Sequence, residues 1–197
     1  MNIIMHRINT VKQLNSIDFN YGVEIDIRSY RDKLVLTHEP YENAENFNDW
    51  LEHYNHKILI LNIKEEGLED EILFLIKQHN VKNYFFLDQS FPNLIKYTSK
   101  GMSKTALRVS VFENINNTNK LFDLVDWVWV DCFTKFPLTK NEMNKLHNHF
   151  NICIVSPELQ GRNNKSELIK FVDNIKSYDI NDIYVCTKYP DLWIAND

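Results

Sequence analysis

Glycine is scarce in this chain, with four in 197 residues, where ordinary usage of ~7% gives about 14. By subtraction, Gly22, Gly67, Gly101 and Gly161 stand at least 34 residues apart. Neither a G-x-G-x-x-G turn nor a P-loop can be written with that spacing, because both need glycines within a few residues so that backbone amides can cradle phosphate. Rossmann dinucleotide binding and Walker-type nucleotide hydrolysis are thereby excluded. Cysteine is equally sparse: Cys132, Cys153 and Cys186 are odd in number and far apart, which gives neither a disulfide framework nor a paired zinc site. Each sits in an apolar run and reads as a buried structural thiol. Blocks of like charge are missing too. The formal net charge is 22 minus 27, or -5, without the clustered Lys and Arg of a nucleic-acid footprint. No apolar run approaches the ~18 residues of a membrane span, and Met1–His6 lacks the layout of a signal peptide. The expected compartment is the cytoplasm.

What the chain does have is a regular alternation. Eight β-type runs occupy residues 2–6, 22–28, 57–64, 83–88, 104–111, 127–133, 151–158 and 182–187. Between them lie stretches of helical period, a pattern that specifies a parallel sheet covered by helices. Residues 68–79 place Leu68, Ile72, Leu75 and Ile76 on one face, and residues 165–176 do the same with Leu168, Ile169, Val172 and Ile175. The expected fold is a compact α/β (β/α)8 TIM barrel, one domain over residues 1–197, with an open doubly wound sheet as the alternative. A further run, 33–38, follows a tight turn at Tyr30, Arg31 and Asp32 and predicts an extra hairpin strand after the second strand. At 197 residues the barrel has about 25 residues per unit against ~31 in a typical one of ~250 residues.

Strands of a parallel barrel are covered on both faces, so a polar residue within one needs a reason. Here the polar residues gather at the C-terminal ends, where barrels build their active sites. The second run alternates Val23, Ile25 and Ile27 with Glu24, Asp26 and Arg28, and the third places Asn62 and Lys64 on one face above Ile58 and Ile60. His6 ends the first run and His38 ends the hairpin. Two carboxylates two residues apart, Glu24 and Asp26, with a third oxygen from Asn62, suit a hard divalent cation. His6 and His38 could then act as a general acid and base, since imidazole titrates near neutrality. Lys64 and Arg7 would neutralise a phosphoryl group. The other histidines, His53, His56, His79, His147 and His149, read as surface or core residues.

Arginine is the rarer cation, five against seventeen lysines, so each marks a place where planar bidentate contact is useful. Arg108, in the fifth run, is a candidate substrate contact or a structural ion pair. Asp131 ends the sixth run beside Trp129 and Phe133, and Glu158 ends the seventh; both are candidate substrate contacts.

In its His6-Arg7 start, Asn9-Thr10, residues 22–27 (GVEIDI), residues 34–39 (LVLTHE) and Ile63-Lys64, the chain resembles the glycerophosphodiester phosphodiesterase family of phospholipase C-like barrels. Residues 187–191 (TKYPD) resemble that family's closing strand-to-loop signature. The resemblance implies Glu24, Asp26 and Asn62 as ligands of Mg2+ or Ca2+, His6 and His38 as the acid and base pair, and Lys64 and Arg7 as phosphate contacts. It also implies a small glycerol-phosphate or sugar-phosphate diester as substrate, split by water or by a neighbouring hydroxyl. The chain departs from the family pattern at Ile8, where glycine is usual, at Asn62, where a carboxylate is usual, and at Glu39, where aspartate is usual. One fewer negative charge predicts weaker metal binding. Two alternatives follow: a weakened barrel that binds a phosphorylated ligand or partner without turnover, or a lyase that stops at a cyclic phosphate.

Overall fold

The computed structural model describes residues 1–194, and of residues 117–119 the backbone only. In chain order the elements are β1 (Asn2–Met5), α1 (Val11–Leu14), β2 (Gly22–Tyr30), β3 (Lys33–Leu36), β4 (Glu45–Asn46), α2 (Phe47–Leu51), β5 (Leu59–Ile63), α3 (Glu69–Gln78), β6 (Tyr84–Leu87) and α4 (Phe91–Thr98). They continue with β7 (Ala106–Val109), a 3-10 helix (Ile115–Leu121), β8 (Trp127–Val130), α5 (Lys140–His147), β9 (Asn151–Val155), a second 3-10 helix (Pro157–Gln160), α6 (Lys165–Lys176), β10 (Tyr184–Thr187) and α7 (Pro190–Ile194). The chain divides into two compact units, an N-terminal one over Met5–Lys100 and a C-terminal one made of Met1–Ile4 and the chain from Gly101 onward.

In the N-terminal unit β2, β5 and β6 are parallel neighbours, and β3 and β4 add antiparallel strands on the other side of β2. The register pairs Glu24 with Ile60 and Asp26 with Asn62 across β2 and β5. It pairs Ile27 with Leu36 across β2 and β3. Val23, Ile25, Ile27 and residues 58–61 are all buried, as continuous hydrophobic strands of a covered parallel sheet should be. Helix α3 opens with Glu69, Asp70 and Glu71 against its positive end and buries Ile72 and Ile76.

In the C-terminal unit β7, β8, β9 and β10 run parallel in that order. β1 lies beside β10, where Asn2 N donates to Ile183 O at 2.9 Å. The three cysteines are buried here. The strands are shorter than the apolar runs that predict them, for local reasons. β7 stops at Val109 because Ser110 Oγ turns back to accept from the amides of Phe112 and Glu113. β9 stops at Val155 because Ser156 and Pro157 begin a 3-10 turn. One packing expectation is corrected. In α6 the buried stripe is Leu168, Phe171, Val172 and Ile175, while Ile169 is exposed. It lies about 100° around the helix from Leu168, off the i, i+3, i+4, i+7 stripe, and Phe171 takes the place assigned to it.

Candidate active site

The chain leaving β1 turns sharply. Arg7 sits at φ 55, a left-handed conformation uncommon for a residue with a Cβ. That turn lays residues 7–9 along β2. The Arg7 amide donates to Glu24 Oε2 at 2.7 Å, the Ile8 amide to the Glu24 carbonyl at 2.8 Å, and Asn9 makes a two-way pair with Asp26. In that pair Asn9 Nδ2 donates to Asp26 Oδ2 at 3.0 Å while its Oδ1 accepts from the Asp26 amide at 2.9 Å. Arg7 Nε stands 3.5 Å from Asp26 Oδ2, and His6 Nε2 stands 3.8 Å from Glu24 Oε2.

The second half of the cluster comes from β5. Because Asp26 and Asn62 are register partners, their side chains share a face, and Asn62 Nδ2 reaches diagonally to Glu24 Oε1 at 2.7 Å. Lys64 Nζ lies 3.2 Å from Asp26 Oδ1 and 3.3 Å from Asp88 Oδ2, just past the end of β6. Glu24 and Asp26 are 1% and 0% exposed. Burial, reinforced by the Asp26 charge, pushes the Glu24 carboxyl up from its ordinary 4.5 to about 7; the bonds from Asn62 and Arg7 and the Lys64 charge only partly offset this. His38 joins through its main chain. Its carbonyl accepts from Arg28 Nε at 3.0 Å, and Arg28 Nη1 donates to the Lys64 carbonyl at 3.1 Å. The His38 ring bonds Glu39 at 2.8 Å, which holds the Glu39 carboxyl below the usual range.

Of the residues selected from sequence, His6, Arg7, Glu24, Asp26, Asn62 and Lys64 therefore form one bonded cluster in the N-terminal unit, with His38 tied to it by Arg28. Arg108, Asp131 and Glu158 belong to the C-terminal unit. There Arg108 Nη1 donates to Asp131 Oδ2, and Asp131 Oδ1 accepts from Gln160 and, at 3.3 Å, from Trp129 Nε1. Glu158 Oε1 accepts from Thr187 Oγ1 and, at 3.0 Å, from the Lys188 amide, while its Oε2 is buried without a hydrogen-bond partner. Three residues with clear structural parts in the N-terminal cluster were not singled out from sequence: Asn9, Arg28 as a tether, and Asp88. Asp88 ends the fourth β-type run, so the rule that selects polar residues at strand ends would have found it.

Two buried oxygens in the cluster lack a hydrogen bond, Asn62 Oδ1 and Asp26 Oδ1, the latter met by the Lys64 ammonium as an ion pair at 3.2 Å. Among the described residues no three His, Cys, Asp or Glu side chains are gathered closely enough to hold a metal. A cation here would thus need the Asn62 carbonyl as its third donor beside Glu24 and Asp26. Hard oxygen donors of that kind fit Mg2+ or Ca2+.

No protein-family profile matches the chain, and no curated protein sequence does. Solved structures do match. A glycerophosphodiester phosphodiesterase from Agrobacterium tumefaciens aligns over 98% of this chain and 97% of its own, with a TM-score of 0.66 and 12% identity. An Oleispira antarctica phosphodiesterase, solved in complex with the product sn-glycerol-3-phosphate, aligns over 98% and 95%, with a TM-score of 0.68 and 16% identity. A glycerophosphoryl diester phosphodiesterase from Parabacteroides distasonis aligns over 94% and 82%, with a TM-score of 0.69 and 14% identity. The fold of this chain is the mixed α/β fold of these phosphodiesterase structures.

Proposed function

We propose that the chain is a phosphoric diester hydrolase that uses a divalent cation, Mg2+ or Ca2+, on a small glycerophosphodiester or sugar-phosphate diester. One observation carries the reading: a buried pair of carboxylates, Glu24 and Asp26, shares one sheet face with Asn62, while Lys64 stands 3.2 Å and Arg7 3.5 Å from Asp26 and His6 stands 3.8 Å from Glu24. The fold likeness supports it, and the reading carries with it a single closed (β/α)8 barrel in which the strand after β2 is an added hairpin.

Glu24, Asp26 and Asn62 would hold the cation, which when bound supplies Lewis-acid polarisation of a phosphoryl oxygen. Lys64 and Arg7 offset the charge of the diester. Hydrolysis joins a water oxygen to phosphorus and breaks the bond to the leaving alcohol; where a neighbouring substrate hydroxyl attacks first, the alcohol leaves with formation of a cyclic phosphate, which water then opens. The attacking oxygen gives up a proton and the leaving oxygen takes one, the two transfers assigned to His6 and His38.

The test is phosphorus NMR on glycerophosphodiesters incubated with the protein and magnesium. Conversion to a phosphomonoester, abolished by chelator, is the expected result. Accumulation of a cyclic phosphate alone would make it a lyase. Binding without conversion, on repeated preparations with either metal, would overturn the enzyme reading in favour of a phosphate-binding module.

A further inference from the structure

Lys64 does not face its phosphate role with a free charge. Its ammonium, on a side chain that is 14% exposed, lies between two carboxylates, 3.2 Å from the buried Asp26 and 3.3 Å from Asp88, whose side chain is 27% exposed. Asp26 is already shared with Arg7 and Asn9. Two cations, Lys64 and Arg7, thus meet three carboxylates, Glu24, Asp26 and Asp88. Asp88 is held there by its backbone, at φ 62 directly after Leu87 at the end of β6. Asp and Asn are among the few residues that tolerate this left-handed position. A glycine-poor chain spends an acidic residue at this turn, with its charge aimed at the lysine.

We infer that Asp88 is a specificity residue that sets the phosphate charge this site accepts, favouring a monoanionic diester over a dianionic monoester. This rests on the phosphodiesterase reading. Coulomb repulsion scales with the product of the charges, so a carboxylate beside the phosphate-binding ammonium penalises a dianion twice as much in free energy as a monoanion. Such a site takes in the diester, admits phosphomonoesters poorly, and releases its own product, which gains a second negative charge when the diester is cut.

The test compares Asp88→Asn with wild type by calorimetric titration of methyl phosphate, a dianion at about pH 8, and dimethyl phosphate, a monoanion. Titrations are run in magnesium and repeated in chelator. Asn keeps the left-handed backbone, and Asp88→Glu keeps the charge and serves as the second variant. The expected result under either condition is about tenfold tighter methyl phosphate and only about threefold tighter dimethyl phosphate in Asp88→Asn, with Asp88→Glu keeping the wild-type ratio between the two ligands. Equal tightening of both ligands, no tightening in either condition, or no binding by any variant overturns the inference. A merely structural role would shift both ligands alike. These readouts are binding constants, so they decide the role of Asp88 separately from turnover, which decides the reading above.

Discussion

Glu24 carries the most distinctive electrostatics in the molecule. It is fully buried, bonded to the Arg7 amide and Asn62, and its carboxyl is pushed up to about 7. A raised pKa means that the folded state keeps a proton which the unfolded chain has already released, so stability is fully present below pH 4.5 and is lost as pH rises through about 7. In chelator, urea unfolding at a series of pH values should show a loss of about 3 kcal/mol across that window. Glu24→Gln, which cannot ionise, should flatten this slope. A slope unchanged by the substitution would mean that another group carries it. Lys64 and Asp88 illustrate a different point at this scale. The choice of Lys64 needs only its place at a strand end, whereas its position between two carboxylates depends on a neighbouring strand that no local pattern specifies.

At the scale of elements, period and register did most of the positioning. Period-2 alternation in 22–28 and the apolar run at 57–64 were enough to place β2 and β5, and parallel pairing then set Asp26 opposite Asn62. Less legible were the tethers. Arg28 bonds the carbonyls of both His38 and Lys64, so a single side chain ties the second residue after β3 to the first after β5. A lysine cannot span both with one compact ammonium. Arg28→Lys should therefore cost about 2 kcal/mol in urea unfolding, and an unaltered midpoint would show that these bonds contribute nothing net. In the C-terminal unit, Thr139 and Glu142 form a reciprocal capping box on α5, the Thr139 hydroxyl accepting from the Glu142 amide at 3.3 Å and the Glu142 carboxylate accepting from the Thr139 amide at 2.8 Å. Thr139→Ala should cost about 1 kcal/mol and Thr139→Ser little, read from thermal unfolding. The pattern T-x-x-E is visible in the sequence. Asn9 was harder to read, because a short amide in a loop has no periodicity, and its exchange of two hydrogen bonds with Asp26 exists only once residues 7–9 lie along β2.

Across the whole molecule, scarcity of glycine has a structural counterpart. Among the described residues Gly67, Gly101 and Gly161 take left-handed conformations, but eight others do so as well, including Asn80, Asp88, Asp123, Asp179 and Asp182. Asn and Asp supply most of these non-glycine turns, and the same conformation places Arg7 beside the buried Asp26 and Asp88 beside Lys64. The fold is shared with phosphodiesterases at 12–16% identity. The cluster in the N-terminal unit is built mainly of side chains, as the proposed function requires of a chain without phosphate-cradling glycines. The most direct measurement is the steady-state rate of glycerophosphodiester hydrolysis in magnesium by wild type, His6→Ala and His38→Ala. The account predicts measurable wild-type turnover that falls by about 100-fold or more in each variant, as loss of a general acid or base does, with the far-ultraviolet spectrum unchanged. Wild-type rates surviving in both variants would contradict it.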